Sequence, residues 1–156
     1  MTIIGIDVGL DGAVAVLPEG RVFDTPTVTV ASGKRVRRKY LPQEMMRLLL
    51  PYASDGTLAI VEDVHAMPKQ GSASTFSLGT GWGLWIGILA GLGIPYDLVS
   101  PARWKREMMD GMGKEKDAAR LRAMQLFPAL SEQLALKKHH GRAEALLIAE
   151  YRRRQG

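Results

Sequence analysis

The sequence predicts an α/β protein with a mixed β-sheet, antiparallel at its N-terminal strands and parallel beyond them, flanked by helices. Three observations carry this. Apolar, β-branched runs separated by glycine turns open the chain, near 2–8, 12–18 and 21–25. Later apolar runs near 58–62 and 94–99 alternate with helical patterns, as parallel pairing requires. The 156 residues show no repeat or linker-like stretch, so a single domain over 1–156 is expected, large enough to bury a core.

Taken in order, Gly9 and Gly12 mark the turn between the first two strands. A basic, mobile loop is expected near 30–40. Pro42, at a first helical turn, opens a helix to Tyr52 whose Met45, Met46, Leu48 and Leu49 face a core. Ser54-Asp55-Gly56 reads as a turn, and Leu58-Ala59-Ile60-Val61-Glu62 as a buried strand. A loop carrying Pro68, Lys69 and Gly71 leads to a helix near 75–92. Gly79, Gly83, Gly87 and Gly91 lie on one face of that helix. Glycine weakens a helix, so the stripe implies a close backbone approach, by a neighbouring strand or by a second subunit. Ser100-Pro101 is a good helix start, and helices near 101–109, 114–127 and 141–154 complete the chain.

Composition narrows the function. Without cysteine, disulfides and thiolate metal sites are excluded, and a cytoplasmic location is expected. The uncharged stretch from Gln70 to Tyr96 begins rich in Gly, Ser and Thr and is stopped by Pro95, so it is not a membrane span. Basic residues outnumber acidic ones by 21 to 16, for a net charge of +5, which points to a polyanion and above all to nucleic acid. Lys34, Arg35, Arg37, Arg38 and Lys39 share one short segment. Lys105, Arg106, Lys114, Lys116, Arg120 and Arg122 are spread through the third quarter, and Arg152 to Arg154 lie at the end of the chain.

Asp7 ends an apolar strand, where a carboxylate is costly to bury without a positive or hydrogen-bonding partner. Glu62 ends a second such strand, although Asp63 could be the inward residue. His140, Glu144, Leu147 and Ile148 share a helix face. If the two strands are neighbours, three carboxylates converge and repel, unless hard cations that favour oxygen ligands neutralise them. Two such ions would suit phosphodiester cleavage.

These residues resemble the RuvC-type Holliday-junction resolvases of bacteria and phages over most of the chain. The resemblance rests on Gly5-Ile6-Asp7-Val8-Gly9, on Val61-Glu62-Asp63-Val64 and on Arg142-Ala143-Glu144-Ala145-Leu146-Leu147-Ile148-Ala149, with support from Ser74 to Gly83. It implies an RNase H-like fold and a homodimer packed through the Gly79/Gly83/Gly87 helix. The implied activity is metal-dependent, with Mg²⁺ or Mn²⁺ (two ions per site), and each subunit nicks one strand of a four-way DNA junction to leave a 5′-phosphate. Asp7, Glu62 and Glu144 correspond to three of the family's four acidic ligands. Where the family usually has an Asp, one turn before the last acid, this chain has Gly141, and His140 is the nearest substitute. The implied DNA contacts are Lys114 and Lys116 at a helix start, Arg35, Arg37 and Arg38 in a flexible segment, and Lys69 and Lys105. Phe76 either stacks near the junction centre or packs in the core. Two alternatives come from other classes. One is a DNA-binding protein of the same fold without catalysis. The other is an actin-like nucleotide-binding phosphotransferase, whose phosphate loop also looks like Gly5 to Ala13 but whose two domains exceed this length.

Overall fold

A computed structural model describes all residues, 1–156. Strands β1 (Thr2–Asp7), β2 (Ala13–Leu17) and β3 (Arg21–Asp24) form an antiparallel meander. Strands β6 (Thr57–Glu62) and β7 (Tyr96–Val99) extend it in parallel on the other side of β1, giving the order β3-β2-β1-β6-β7. This is the mixed sheet expected from the sequence.

Alternate residues point to opposite faces of a strand, and both faces here are covered. Ile4, Ile6, Val14, Val16, Ala59 and Val61 pack against α1 (Pro42–Leu49) and α2 (Ser72–Gly91). Ile3, Ala13, Ala15, Leu17 and Ile60 pack against α3 (Pro101–Met108), α4 (Ala118–Leu126) and α5 (His140–Arg154). Burial on both faces explains why these strands read as continuous apolar runs. Asp7 and Glu62 share the alternation of Ile3 and Ile60, which turns both carboxylates toward the α3 and α5 side. No helix is long and apolar enough to cross a membrane.

Helix α5 crosses the sheet at unusually short range. A Cβ on Gly5 would lie 2.3 Å from the Ala145 carbonyl oxygen and 2.6 Å from the Ala149 nitrogen. Gly5→Ala must therefore push α5 off β1, at a cost of about 3 kcal/mol. Chemical denaturation should show a lowered midpoint, and an unchanged one would mean that the helix can retreat freely.

Three expectations need correction. Residues 30–40 are not a mobile loop but half of an exposed two-stranded ribbon, β4 (Thr27–Ser32) and β5 (Arg35–Tyr40). β-Branched residues in β4 favour the extended state, and Gly33, with φ of 62°, occupies the first position of a two-residue hairpin loop, where glycine is favoured. The ribbon has no buried face and hence no apolar alternation to announce it. Second, Lys114 and Lys116 precede α4 in an irregular exposed segment rather than opening a helix, because the helix begins only at Ala118. Third, no strand approaches the glycine stripe of α2: a Cβ on Gly79, Gly83, Gly87 or Gly91 would meet nothing within 4 Å. The close contact falls on Gly81, where a Cβ would lie 2.4 Å from the Tyr40 hydroxyl, which donates to the Ser77 carbonyl at 3.0 Å and ties the ribbon to α2. Of the two readings of Phe76, core packing is excluded, because the ring is 78% exposed near the start of α2.

Candidate metal centre

Strands β1 and β6 are parallel and in register through Ile6 and Val61, so the next residues, Asp7 and Glu62, emerge together at the carboxyl ends of adjacent strands. The carboxyl ends of strands in α/β sheets are where ligands bind. Glu144, on the first turns of α5, completes the group. One carboxylate oxygen from each of the three lies within 4.8 Å of the others. Asp7 and Glu62 are buried, each 8% exposed, which fixes Glu62 rather than Asp63 as the inward residue. Asp63 faces His65 at 3.5 Å instead.

The electrostatics are those of a site short of positive charge. Burial holds the Asp7 carboxyl well above the ordinary range, and the charges of Glu144 and Glu62 push it further. Burial also raises Glu62, against a hydrogen bond from Trp104 that favours its ionised form. Burial opposes ionisation of Glu144 too, but a hydrogen bond from His140 and the charge of Lys105 outweigh it and bring that carboxyl below its usual value. His140 Nε2 lies 3.0 Å from Glu144 Oε1, and Lys105 Nζ lies 3.5 Å from the same oxygen. The bond to Glu144 raises the His140 pKa. Three close carboxylates with two strongly desolvated, and no sulfur donor, suit a hard divalent cation.

An open cleft of about 540 Å³ meets the cluster at Asp7 and is lined by Asp7, Gly9, Asp11, Tyr40, Ser74 and His140 among others. A second groove of about 610 Å³ runs between β5 and the start of α2, past Arg37, Lys39 and Phe76. Arg38 is committed locally: it pairs with Asp11 and donates to the Leu10 carbonyl at 2.8 Å and the Thr27 hydroxyl at 3.0 Å, clamping the ribbon to the turn after β1. Arg35 stands exposed on the same ribbon, and Lys69 on the exposed loop before α2 with φ of 66°. Lys116 is near enough to His140 to disfavour its protonation, whereas Lys114 makes no ion pair.

Sequence reasoning missed two features. Trp104 Nε1 donates to Glu62 Oε2 at 2.7 Å across 42 residues of chain, and nothing local to either residue announces it. Lys105, expected on DNA, also reaches Glu144 at 3.5 Å and lies over the Trp104 ring at 5.2 Å, with its side chain still half exposed. Gly141 also has a structural reason. A Cβ there would lie 2.2 Å from the Asp11 carbonyl oxygen and 3.1 Å from Gly12, so this backbone admits no side chain at that position.

No family model matches the chain. It is 32% identical over 133 aligned positions to the chloroplastic Holliday junction resolvase MOC1 of Chlamydomonas reinhardtii, covering 78% of this chain but only 15% of that protein. Among solved structures, Thermus thermophilus RuvC in complex with a Holliday junction substrate superposes with a TM-score of 0.55 at 16% identity, over 100% of this chain and 97% of that one. A second Thermus thermophilus RuvC structure gives 0.55 at 18% identity over the same shares. The parallel and antiparallel strands, the helices on both faces and the full-length superposition together give this chain the RNase H-like fold of the RuvC resolvases.

Proposed function

We propose that residues 1–156 act as a single nuclease domain that resolves four-way DNA junctions by cation-dependent hydrolysis of phosphodiester bonds. The observation that carries this is the convergence of Asp7, Glu62 and Glu144 within 4.8 Å at the sheet edge of a RuvC-like fold. The kinship with a Holliday junction resolvase and the net charge of +5 support it.

Asp7, Glu62 and Glu144 would hold the cation, Mg²⁺ or Mn²⁺, with room in the open cleft for a second. When bound, it would neutralise the carboxylates, activate water and stabilise charge on the scissile phosphate. Water attacks phosphorus, the bond from phosphorus to O3′ breaks, and the products are a 3′-hydroxyl and a 5′-phosphate. His140 orients the Glu144 carboxylate through Nε2, and its Nδ1, which makes no hydrogen bond within the chain, is available to a water or a phosphate oxygen. Lys105, Lys116 and Lys114 supply positive charge on the α3 and α4 side. Arg35, Arg37, Lys69 and Phe76 line the approach on the ribbon and α2 side. Phosphate contacts of this kind position DNA without reading its sequence.

A homodimer through the open Gly79/Gly83/Gly87 face of α2 would place two sites in two-fold symmetry, matching the two opposed strands to be cut. Nothing within the chain covers that face.

The test is a side-by-side incubation of linear duplex, three-way and four-way DNA with Mn²⁺. Paired, symmetric nicks confined to the four-way substrate are expected. Tight junction binding without nicks in either Mg²⁺ or Mn²⁺ would favour the non-catalytic reading. Binding should also weaken steeply with salt, with a logarithmic slope of about −5 for six phosphate contacts, and a flat response would sink the DNA partner.

A further inference from the structure

Helix α3 carries a residue that no feature of the sequence marks for function. Ser100 caps the helix, its hydroxyl accepting from the Arg103 amide at 3.3 Å, and Pro101 follows at the first turn. That start fixes the rotation of α3, which buries Trp104 completely in the core beneath α5. A buried indole N–H usually finds a partner, yet this chain leaves the indole nitrogens of Trp82 and Trp85 without one. Trp104 differs: its N–H is aimed at Glu62 Oε2 at 2.7 Å, in a direct and buried hydrogen bond.

The bond has two consequences for Glu62. It fixes the carboxylate, because a rigid ring packed on all sides offers one donor in one direction. It also occupies one lone pair of Oε2 and leaves Oε1 with no hydrogen bond in the chain, free to serve as a ligand. A neutral donor does this without cancelling the charge of the cluster. Lys105, on the neighbouring position of the same helix, meets Glu144 with a full positive charge that opposes a cation. Hydrogen-bonded partners behind ligating carboxylates set ligand orientation and metal affinity.

We propose that Trp104 is a positioning residue of the metal centre, whose indole N–H holds Glu62 in the orientation that presents Oε1 to a divalent cation. This rests on the reading of Asp7, Glu62 and Glu144 as a cation site. Trp104 acts through Glu62 and touches neither substrate nor metal.

The test removes the donor and keeps the ring. Trp104→Phe retains an aromatic side chain, and incorporation of 3-benzothienylalanine at position 104 replaces the indole N–H by sulfur at nearly unchanged shape. Mn²⁺ affinity is measured by titration calorimetry on the DNA-free, full-length protein, with thermal melting as a control. Both replacements are expected to weaken Mn²⁺ binding by about 10- to 100-fold and to leave the benzothienyl protein melting close to the parent. Junction cleavage should recover toward the parent rate at raised Mn²⁺, so the half-activating concentration moves while the maximal rate does not. Parental Mn²⁺ affinity in the benzothienyl protein overturns the proposal, whatever Trp104→Phe does, because the ring and not the N–H would then matter. A parent protein that binds Mn²⁺ but cuts no junction would sink the nuclease reading and leave this inference intact. A parent that binds no Mn²⁺ would sink both.

Discussion

Asp7→Asn is expected to leave four-way junction binding within about threefold of the parent and to cut cleavage by on the order of a thousand-fold. The substitution keeps size and shape but removes one of three charges that converge within 4.8 Å. A cation that stabilises charge on the phosphate supplies several kcal/mol of barrier lowering, and each 1.36 kcal/mol is a factor of ten in rate. On the proposed function, DNA affinity would come from basic residues elsewhere, so it should survive. The same change should raise the melting temperature of the metal-free protein. Asp7 is buried and faces Glu62 and Glu144, and its charge there is unfavourable without a cation. In a chain of this length each kcal/mol relieved is worth about 2–4 °C. Opposite signs for activity and stability are the mark of a functional cluster, since a structural carboxylate would lose stability on neutralisation. Normal cleavage by purified Asp7→Asn would remove Asp7 from the site altogether.

Much of that cluster is legible in the sequence alone. Asp7 and Glu62 each close an apolar strand, and parallel neighbours in register must bring them together. Glu144 follows from helical spacing. The same local logic fails for Trp104, because its hydrogen bond depends on how α3 docks against β6, a tertiary fact with no periodicity. It fails for the ribbon as well. A two-stranded element with both faces in solvent needs no apolar alternation, and its dense Arg and Lys content looks like a loop. For the α2 stripe, the spacing identifies a shared face but not the absence of any neighbour within the chain, and Gly81 carries the contact with Tyr40. Lys105 shows the limit of charge counting. A half-exposed basic residue near an expected DNA surface can at the same time pair with a carboxylate of the cluster, as Lys105 does with Glu144.

Gly141→Asp, which installs the fourth acid that the resemblance to RuvC-type resolvases implies at this position, is expected to damage the protein rather than complete its site. The first atom of any side chain there would lie 2.2 Å from the Asp11 carbonyl oxygen. The obstacle is backbone, so no rotamer relieves it, and either α5 or the turn after β1 must move. Gly141→Ala isolates that cost at about 1–3 kcal/mol. The Asp variant adds a fourth carboxylate beside three that already repel, and its melting temperature should fall by about 10 °C. His140 and Glu144 sit on the same first turns of α5 and would be displaced with it, so cleavage should fall as well. The small residues Gly141, Ala145 and Ala149 recur every four positions, and the last two pack against Gly5 of β1. Together they set α5 closer to the sheet than a helix bearing an inward Asp at 141 could lie. The position of the helix and the absence of the acid are thus one property, and His140, which hydrogen-bonds Glu144 from the adjacent position, provides polar chemistry that the close packing still allows. A Gly141→Asp protein that melts with the parent and cleaves at lower Mn²⁺ would show instead that the backbone yields and that the fourth acid is merely missing.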